Sequence, residues 1–328
     1  MTIIFEKSSG RGKRDEIARA ALRLLPGAAL RRRGRGLELR VRRPEKLADA
    51  APALENLPGV EKVSFSECEL SPLACAGGDR RFSSPLDFRR GPVLIAGPCA
   101  VEDEPSYLRA AAGLKEAGAH ALRAAIFKPR SSPYAFQGIG WPGLRIIAKA
   151  KKLTGLPLVT EATDTRQVAR LAEVCDVLQI GARSMRCYEL LKEAAGSGRA
   201  VLLKRGMRAT LREWLLSAEY LLSHGAEKLI LCERGDSPSS GGGPLMDMGL
   251  IRKARKITGL PVIADPSHAS GDRRLAAELA RLALRAGADG LMMEASPDPL
   301  SAKVDGRQTV NVETFRAIAA AACARSRR

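Results

Sequence analysis

The sequence predicts an α/β chain: a (β/α)8 TIM barrel preceded by a small α+β, ferredoxin-like domain. Three observations predict it. Eight short apolar runs recur through residues 93–294, each followed by an amphipathic stretch at helical spacing. Nearly every run ends on a group able to bind an anion, a metal or a proton, as the catalytic face of such a barrel requires. Residues 1–68 read in the order βαββαβ, the ferredoxin-like arrangement. The length of 328 residues suits a barrel of about 250 residues with a small extra domain.

The N-terminal domain opens with a strand at 2–6. A helix follows over 14–25, with Ile17, Ala18, Ala21, Leu22 and Leu25 at helical spacing. Strands at 28–30 and 37–41 flank an Arg-Gly-Arg-Gly turn. A second helix begins after Pro44 and runs over 45–57, and a strand at 60–65 closes the unit. Residues 69–91 are rich in Gly, Ser, Pro and Arg and are expected as a linker to a barrel over 92–328. Barrel strands are expected at 93–96, 120–123, 156–160, 176–180, 200–204, 228–232, 261–265 and 289–294. Helices are expected at 104–117, 143–154, 165–174, 187–196, 210–223, 247–258, 272–286 and 311–325. Four of them end on Gly118, Gly155, Gly259 and Gly287.

Composition narrows the function classes. No apolar run approaches the ~20 residues that span a bilayer, and Met1–Gly10 lacks the apolar core of a signal peptide. Seven scattered cysteines without a Cys-x-x-Cys pair indicate neither a disulfide framework nor a zinc knuckle. A reduced, cytoplasmic protein is expected. The net charge of +18 raises nucleic-acid binding as a reading. Residues 1–50 hold fourteen basic against six acidic residues, so much of the excess lies outside the barrel. An aromatic content of 4% disfavours a base-stacking surface. A phosphate site accounts better for the basic residues at the strand ends.

Those strand ends carry the chemistry. After the second barrel strand, Arg123, Lys128 and Arg130 lie within eight residues, followed by Ser131. Pro129 and Pro133 stiffen this loop, and a rigid guanidinium beside a hydroxyl suits a phosphate monoester. Glu161 ends the third strand. Gln179-Ile-Gly-Ala-Arg183 ends the fourth, where Gly181 permits close approach of backbone to ligand. Lys204 and Arg205 end the fifth and Arg234 the sixth; an unpaired Lys at the end of an apolar strand would be costly. Together these cations imply a multiply charged anion. Cys99, His268, Glu294 and Asp305 follow strands one, seven and eight, which are neighbours once the barrel closes. Their mixed S, N and O donors suit several divalent ions. His120 and His224 fall away from the catalytic face and are expected to be structural.

Gly97-Pro-Cys-Ala-Val-Glu102, Lys128-Pro-Arg-Ser-Ser-Pro133 through Phe136-Gln-Gly138, Leu178-Gln-Ile-Gly-Ala-Arg183, Leu202-Leu-Lys-Arg-Gly-Met207, Cys232-Glu-Arg-Gly235 and Asp265-Pro-Ser-His268 stand in order along the chain. With them the chain resembles the 3-deoxy-D-arabino-heptulosonate 7-phosphate (DAHP) synthases. More narrowly, it resembles the short type I branch related to 3-deoxy-D-manno-octulosonate 8-phosphate synthase. The resemblance covers 91–320. It implies a transferase that condenses phosphoenolpyruvate with erythrose 4-phosphate, releases phosphate and opens the shikimate pathway to aromatic amino acids.

By that resemblance Cys99, His268, Glu294 and Asp305 bind a divalent metal such as Mn, Fe, Co or Zn. Arg183, Lys204 and Arg234 hold phosphoenolpyruvate, with Arg123 and Lys128 at the reacting end; Arg205, at the same mouth, is expected among the substrate-binding residues. Arg130 and Ser131 grip the second phosphate, and Glu161 positions water. Lys128, crowded by Arg123 and Arg130, is expected to have a lowered pKa and to serve as proton donor. The resemblance also implies a homo-oligomer, dimer or tetramer, and allosteric control by an aromatic amino acid at residues 1–68. The chain departs from the pattern at Ala124-Ala125, at Ala295-Ser296-Pro297 and in the Gly-rich loop 236–248, which is expected to be mobile. Two alternatives stay open: 3-deoxy-8-phosphooctulonate synthase acting on arabinose 5-phosphate, and a non-catalytic barrel that binds a phosphorylated ligand.

Overall fold

A computed structural model describes residues 1–41, 45–76, 82–236 and 246–325. The chain divides into two compact units, Met1–Ala76 and Gly77–Arg328.

In the first unit, strands β1 (Thr2–Phe5), β2 (Ala29–Arg33), β3 (Gly36–Arg40) and β4 (Val60–Ser64) form one sheet. Its order is β2-β3-β1-β4 and its pairs are antiparallel. Alternation decides the buried face: Ile3 and Phe5 of β1 and Leu37 and Leu39 of β3 point inward. They meet Ile17 and Ala21 of helix α1 (Arg11–Leu24) and Leu47 and Leu54 of α2 (Glu45–Glu55) in one core. The edge strand β2 carries Arg31, Arg32 and Arg33, whose charges discourage edge-to-edge pairing. It runs three residues past the expected end because Arg32 and Arg33 still pair with Leu37 and Gly36. A short helix α3 (Glu67–Leu70), not anticipated from sequence, is held by a Ser66–Glu69 capping box.

In the second unit the barrel strands are β5 (Val93–Gly97), β6 (Ala121–Arg123), β7 (Leu158–Ala162), β8 (Val177–Ile180), β9 (Ala200–Lys204), β10 (Leu229–Glu233), β11 (Val262–Ala264) and β12 (Gly290–Glu294). All pairs are parallel, and β12 pairs with β5 to close the ring. Among the described residues nine helices follow the strands, one after each strand except β11, which is followed by two: α4 (Glu104–Glu116), α5 (Gly143–Thr154), α6 (Thr165–Val174), α7 (Tyr188–Gly196), α8 (Leu211–Ser223), α9 (Met248–Thr258), the short α10 (Pro266–Ser270) and α11 (Arg273–Arg285), and α12 (Val312–Arg325). The TIM-barrel expectation is therefore met. Val93, Ile95, Val159, Leu202, Ile230, Ile263 and Met292 fill the interior. Phe82, Leu86 and Phe88, in the stretch expected as a linker, belong to this same core. The expected mobility of loop 236–248 falls largely on residues outside those described, as does Pro44. Among the described residues no helix is long and apolar enough to cross a membrane.

Candidate active site

Each barrel strand is buried along its whole length, and where a strand holds polar residues they lie toward its C-terminal end. Parallel pairing puts those ends on one rim. The rim encloses a cavity of about 340 Å³ lined by Lys128, Arg130, Ser131, Glu161, Gln179, Arg183, Lys204, Arg234, His268 and Asp305, among others.

Beside it lies the predicted metal set. One ligand atom each from Cys99, His268, Glu294 and Asp305 fits within 4.8 Å of all the others. Cys99 follows β5, His268 sits on α10, Glu294 ends β12 and Asp305 lies in the loop beyond. Cys99 Sγ is 3.0 Å from Asp305 Oδ2. Glu294 Oε1 lies 3.2 Å from Arg123 Nη2 and 3.3 Å from His268 Nε2, yet this buried oxygen has no aligned hydrogen bond among the described residues. Arg123 Nη1 is likewise buried and has no hydrogen-bond partner among the described residues. Unmet buried polar atoms are costly unless something else satisfies them. The surroundings hold the donors in place: Asp265 Oδ2 accepts from His268 Nδ1 at 2.7 Å, and Gln308 Nε2 donates to Glu294 Oε2 at 2.7 Å. Metal-binding imidazoles and carboxylates are commonly oriented by such outer partners. The residues present fit a divalent cation.

Electrostatics sharpen this corner. Burial pushes the Cys99 thiol well above the ordinary range, and Glu294 adds to the rise. For Glu294, burial opposes ionisation, but His268, Arg123 and Lys128 outweigh it and bring its carboxyl down to about 2. Burial lowers His268 below the usual histidine value, against the pull of Asp265, so its ring is suited to donate a lone pair.

The expectation for Lys128 is corrected. Burial and Arg123 disfavour its charge, but Cys99, Glu294 and Glu161 outweigh them, and its ammonium is held above the ordinary lysine value. The sequence shows the neighbouring cations but not the acidic groups that folding brings across the mouth. Lys128 Nζ donates to the Cys99 carbonyl at 3.4 Å.

The remaining predicted residues separate into two groups. Lys204, Arg183, Arg234, Arg130, Ser131 and Glu161 line the cavity. Arg130 Nη1 stands 3.9 Å from Asp305 Oδ1, and Arg183 and Arg234 make contacts to the backbone oxygens of Pro129, Gly235 and His268. Arg205 does not line the cavity. It forms a buried pair through Nε to Glu233, donates from Nη2 to Glu233 Oε1 at 3.0 Å, and from Nη1 to the carbonyls of Gly206 and Ala209. It also approaches Asp236 at 3.2 Å. Its expected contact with substrate is therefore replaced by a tie between the loops after β9 and β10.

Two glycines explain how side chains reach the site. A Cβ on Gly181 would meet Glu161 Oε1 at 2.0 Å, so only glycine leaves Glu161 room beside Gln179, whose Nε2 donates to Glu161 Oε2 at 3.0 Å. A Cβ on Gly97 would meet the Arg123 carbonyl at 2.5 Å. Residues not assigned a role from sequence are Asp265, Gln308 and Tyr107, whose hydroxyl donates to the Arg123 carbonyl at 3.0 Å. An Asp-Pro pair opening a helix was the available signal for Asp265; nothing local marked the others. His120 accepts the Leu94 N–H at Nδ1, and His224 stacks on Tyr220, both outside the cavity.

A family model described as the DAHP synthetase I family matches residues 89–324. A phospho-2-dehydro-3-deoxyheptonate aldolase of Thermotoga maritima is 40% identical over 225 residues, covering 68% of this chain and 67% of that protein. A 2-dehydro-3-deoxyphosphooctonate aldolase of Syntrophotalea carbinolica is 34% identical over 242 residues, covering 68% and 87%. The crystal structure of the Thermotoga maritima DAHP synthase superposes with a TM-score of 0.79 at 30% identity, covering 97% of this chain and 94% of that one. The chain belongs to the DAHP synthetase I family.

Proposed function

We infer, from the premise of that family, that the protein is a 3-deoxy-7-phosphoheptulonate synthase. It is a transferase that joins phosphoenolpyruvate to erythrose 4-phosphate with release of phosphate, the first step of the shikimate pathway. One observation carries the reading: a four-donor metal cluster borders a cavity ringed by Lys128, Arg130, Arg183, Lys204 and Arg234.

Arg183, Lys204 and Arg234 hold the phosphate and carboxylate of phosphoenolpyruvate through charge-assisted hydrogen bonds. Arg123 and Lys128 stand at its reacting end. Arg130 and Ser131 hold the aldose phosphate, which brings the aldehyde carbon to C3 of phosphoenolpyruvate. As that carbon–carbon bond forms, positive charge develops at C2. Glu161, fixed by Gln179, orients the water that adds there, and C–O cleavage releases phosphate. Lys128 gives a proton to the new alkoxide. Cys99, His268, Glu294 and Asp305 would hold the divalent ion (Mn, Fe, Co or Zn), which when bound supplies Lewis-acid polarisation of the aldehyde oxygen. Arg205 keeps Lys204 and Arg234 in register by tying their loops together.

The octulosonate reading draws on relatives such as the Syntrophotalea protein. Arg130 in the cavity favours the shorter aldose. Phosphate release from phosphoenolpyruvate, measured with erythrose 4-phosphate against arabinose 5-phosphate and with or without chelator, tests both the substrate and the metal. Faster turnover with arabinose 5-phosphate reverses the substrate, and a chelator-insensitive rate removes the metal. Control by an aromatic amino acid at residues 1–68 is supported by the ferredoxin-like sheet of that unit; a rate indifferent to Tyr and Phe refutes it. A cytoplasmic location accords with scattered cysteines that lack a Cys-x-x-Cys pair; a homo-oligomer, dimer or tetramer, is implied by the family resemblance and is checked by light scattering.

A further inference from the structure

The mechanism uses Lys204 and His268 and gives the carboxylate between them no part beyond holding the imidazole. Asp265 is fully buried and caps α10, where its Oδ1 accepts the His268 backbone N–H at 3.1 Å. Its Oδ2 faces two side chains at once. One is His268 Nδ1 at 2.7 Å; the other is Lys204 Nζ, in a buried ion pair. The opposite ring nitrogen, His268 Nε2, points at Glu294 within the metal cluster. One oxygen thus connects a cation of the substrate cavity, on β9, to a donor of the metal cluster, on α10.

We propose that Asp265 is a positioning residue that couples phosphoenolpyruvate binding to divalent-cation affinity by sharing Oδ2 between Lys204 and His268. The proposal rests on the assignment of Lys204 to phosphoenolpyruvate and of His268 to the metal. An ammonium that draws on Oδ2 weakens the hold of that oxygen on the imidazole N–H. When an anionic substrate engages Lys204, Asp265 turns its charge to His268. A stronger acceptor at Nδ1 makes Nε2 the better donor. The coupling is reciprocal: a cation at Nε2 polarises Nδ1–H toward Asp265, and Lys204 is freed for the substrate. The sign is positive cooperativity, and it needs no movement of the backbone.

The test is calorimetric titration of Mn²⁺ into chelator-stripped full-length protein, with and without saturating phosphoenolpyruvate, corrected for Mn²⁺ bound by free phosphoenolpyruvate. The wild type is expected to bind Mn²⁺ about fivefold or more tightly when phosphoenolpyruvate is present. In Asp265→Asn the ratio falls to near one. In Lys204→Met, where Asp265 serves His268 alone, Mn²⁺ binds without phosphoenolpyruvate as tightly as the wild type binds it with phosphoenolpyruvate. Equal affinities in the wild type overturn the proposal. So does an undiminished ratio in Asp265→Asn, which would mean that the substrate charge attracts the cation directly. Should Asp265→Asn not fold, Lys204→Met decides: Mn²⁺ affinity no higher than that of the ligand-free wild type refutes the sharing. Failure of phosphoenolpyruvate to bind the wild type at all sinks the site assignment instead, a distinguishable result.

Discussion

Arg123 and Arg205 stand on the same rim, both almost wholly buried, and they are served very differently. Arg205 has every nitrogen engaged, by Glu233, Asp236 and two carbonyls. Arg123 reaches Glu294 and the Cys99 carbonyl through Nη2 only, and its Nη1 has no partner among the described residues. Burying a guanidinium is tolerable when all its donors are met and costly when they are not. The satisfied arginine is architecture: it joins two loops. The unsatisfied one, beside an unsatisfied Glu294 oxygen, leaves buried polar atoms that a ligand could satisfy. Residue type and strand-end position are nearly the same for the two; the partners tell them apart.

That contrast can be broken by substitution on either side. The largest expected effect is His268→Ala. Lewis-acid stabilisation is worth several kcal/mol, so kcat should fall by on the order of 1,000-fold, with Mn²⁺ binding lost in titration. A variant retaining near wild-type turnover would detach the Arg123 corner from catalysis. Next is Glu233→Gln, which removes the buried countercharge of Arg205 and leaves it the half-exposed Asp236 alone. Breaking a buried pair costs about 3–5 kcal/mol, so the urea midpoint should drop sharply while Mn²⁺ affinity stays near wild type. An unchanged midpoint would show that the tie does not stabilise the rim.

Gly181→Ala comes third. Its Cβ would overlap Glu161, and crowding of this kind costs about 1–3 kcal/mol. Turnover should fall roughly tenfold if Glu161 is displaced by that much free energy, with KM for phosphoenolpyruvate less affected. The last effect, gradual rather than abrupt, is a pH dependence in the chelator-stripped protein. Glu294 titrates at about 2 when folded, against an ordinary value of 4.5, and Asp265 lies well below its ordinary value. The unfolded chain therefore binds these protons first as pH falls. Their stabilisation is complete above about pH 4.5 and is lost as pH drops toward 2; urea midpoints across that window should decline less in Glu294→Gln.

Much of this could be read from sequence, and the reasons are local. The eight barrel strands are short apolar runs, and their helices are marked by 3.6-residue periodicity and Gly stops, so boundaries such as Thr165–Val174 coincide with expectation. The four metal candidates were found because each follows a strand end, and strands one, seven and eight become neighbours on closure. Less visible were features that depend on what a side chain meets. Arg205 looked like its neighbour Lys204 until Glu233 claimed it. Phe82, Leu86 and Phe88 lay in a stretch whose Gly, Ser and Pro suggested a linker, yet they join the barrel core.

Hydrophobic period and strand-end position are properties of neighbours along the chain, and they specify the barrel, its rim and the kinds of group gathered there. How those groups are charged and shared depends on which of them the closed fold sets face to face. Lys128 keeps its proton because Cys99, Glu294 and Glu161 face it, and Asp265 spans from Lys204, 61 positions away, to His268. Coulombic and hydrogen-bonding energies depend on separation in space, and that distance exists only once the ring has closed.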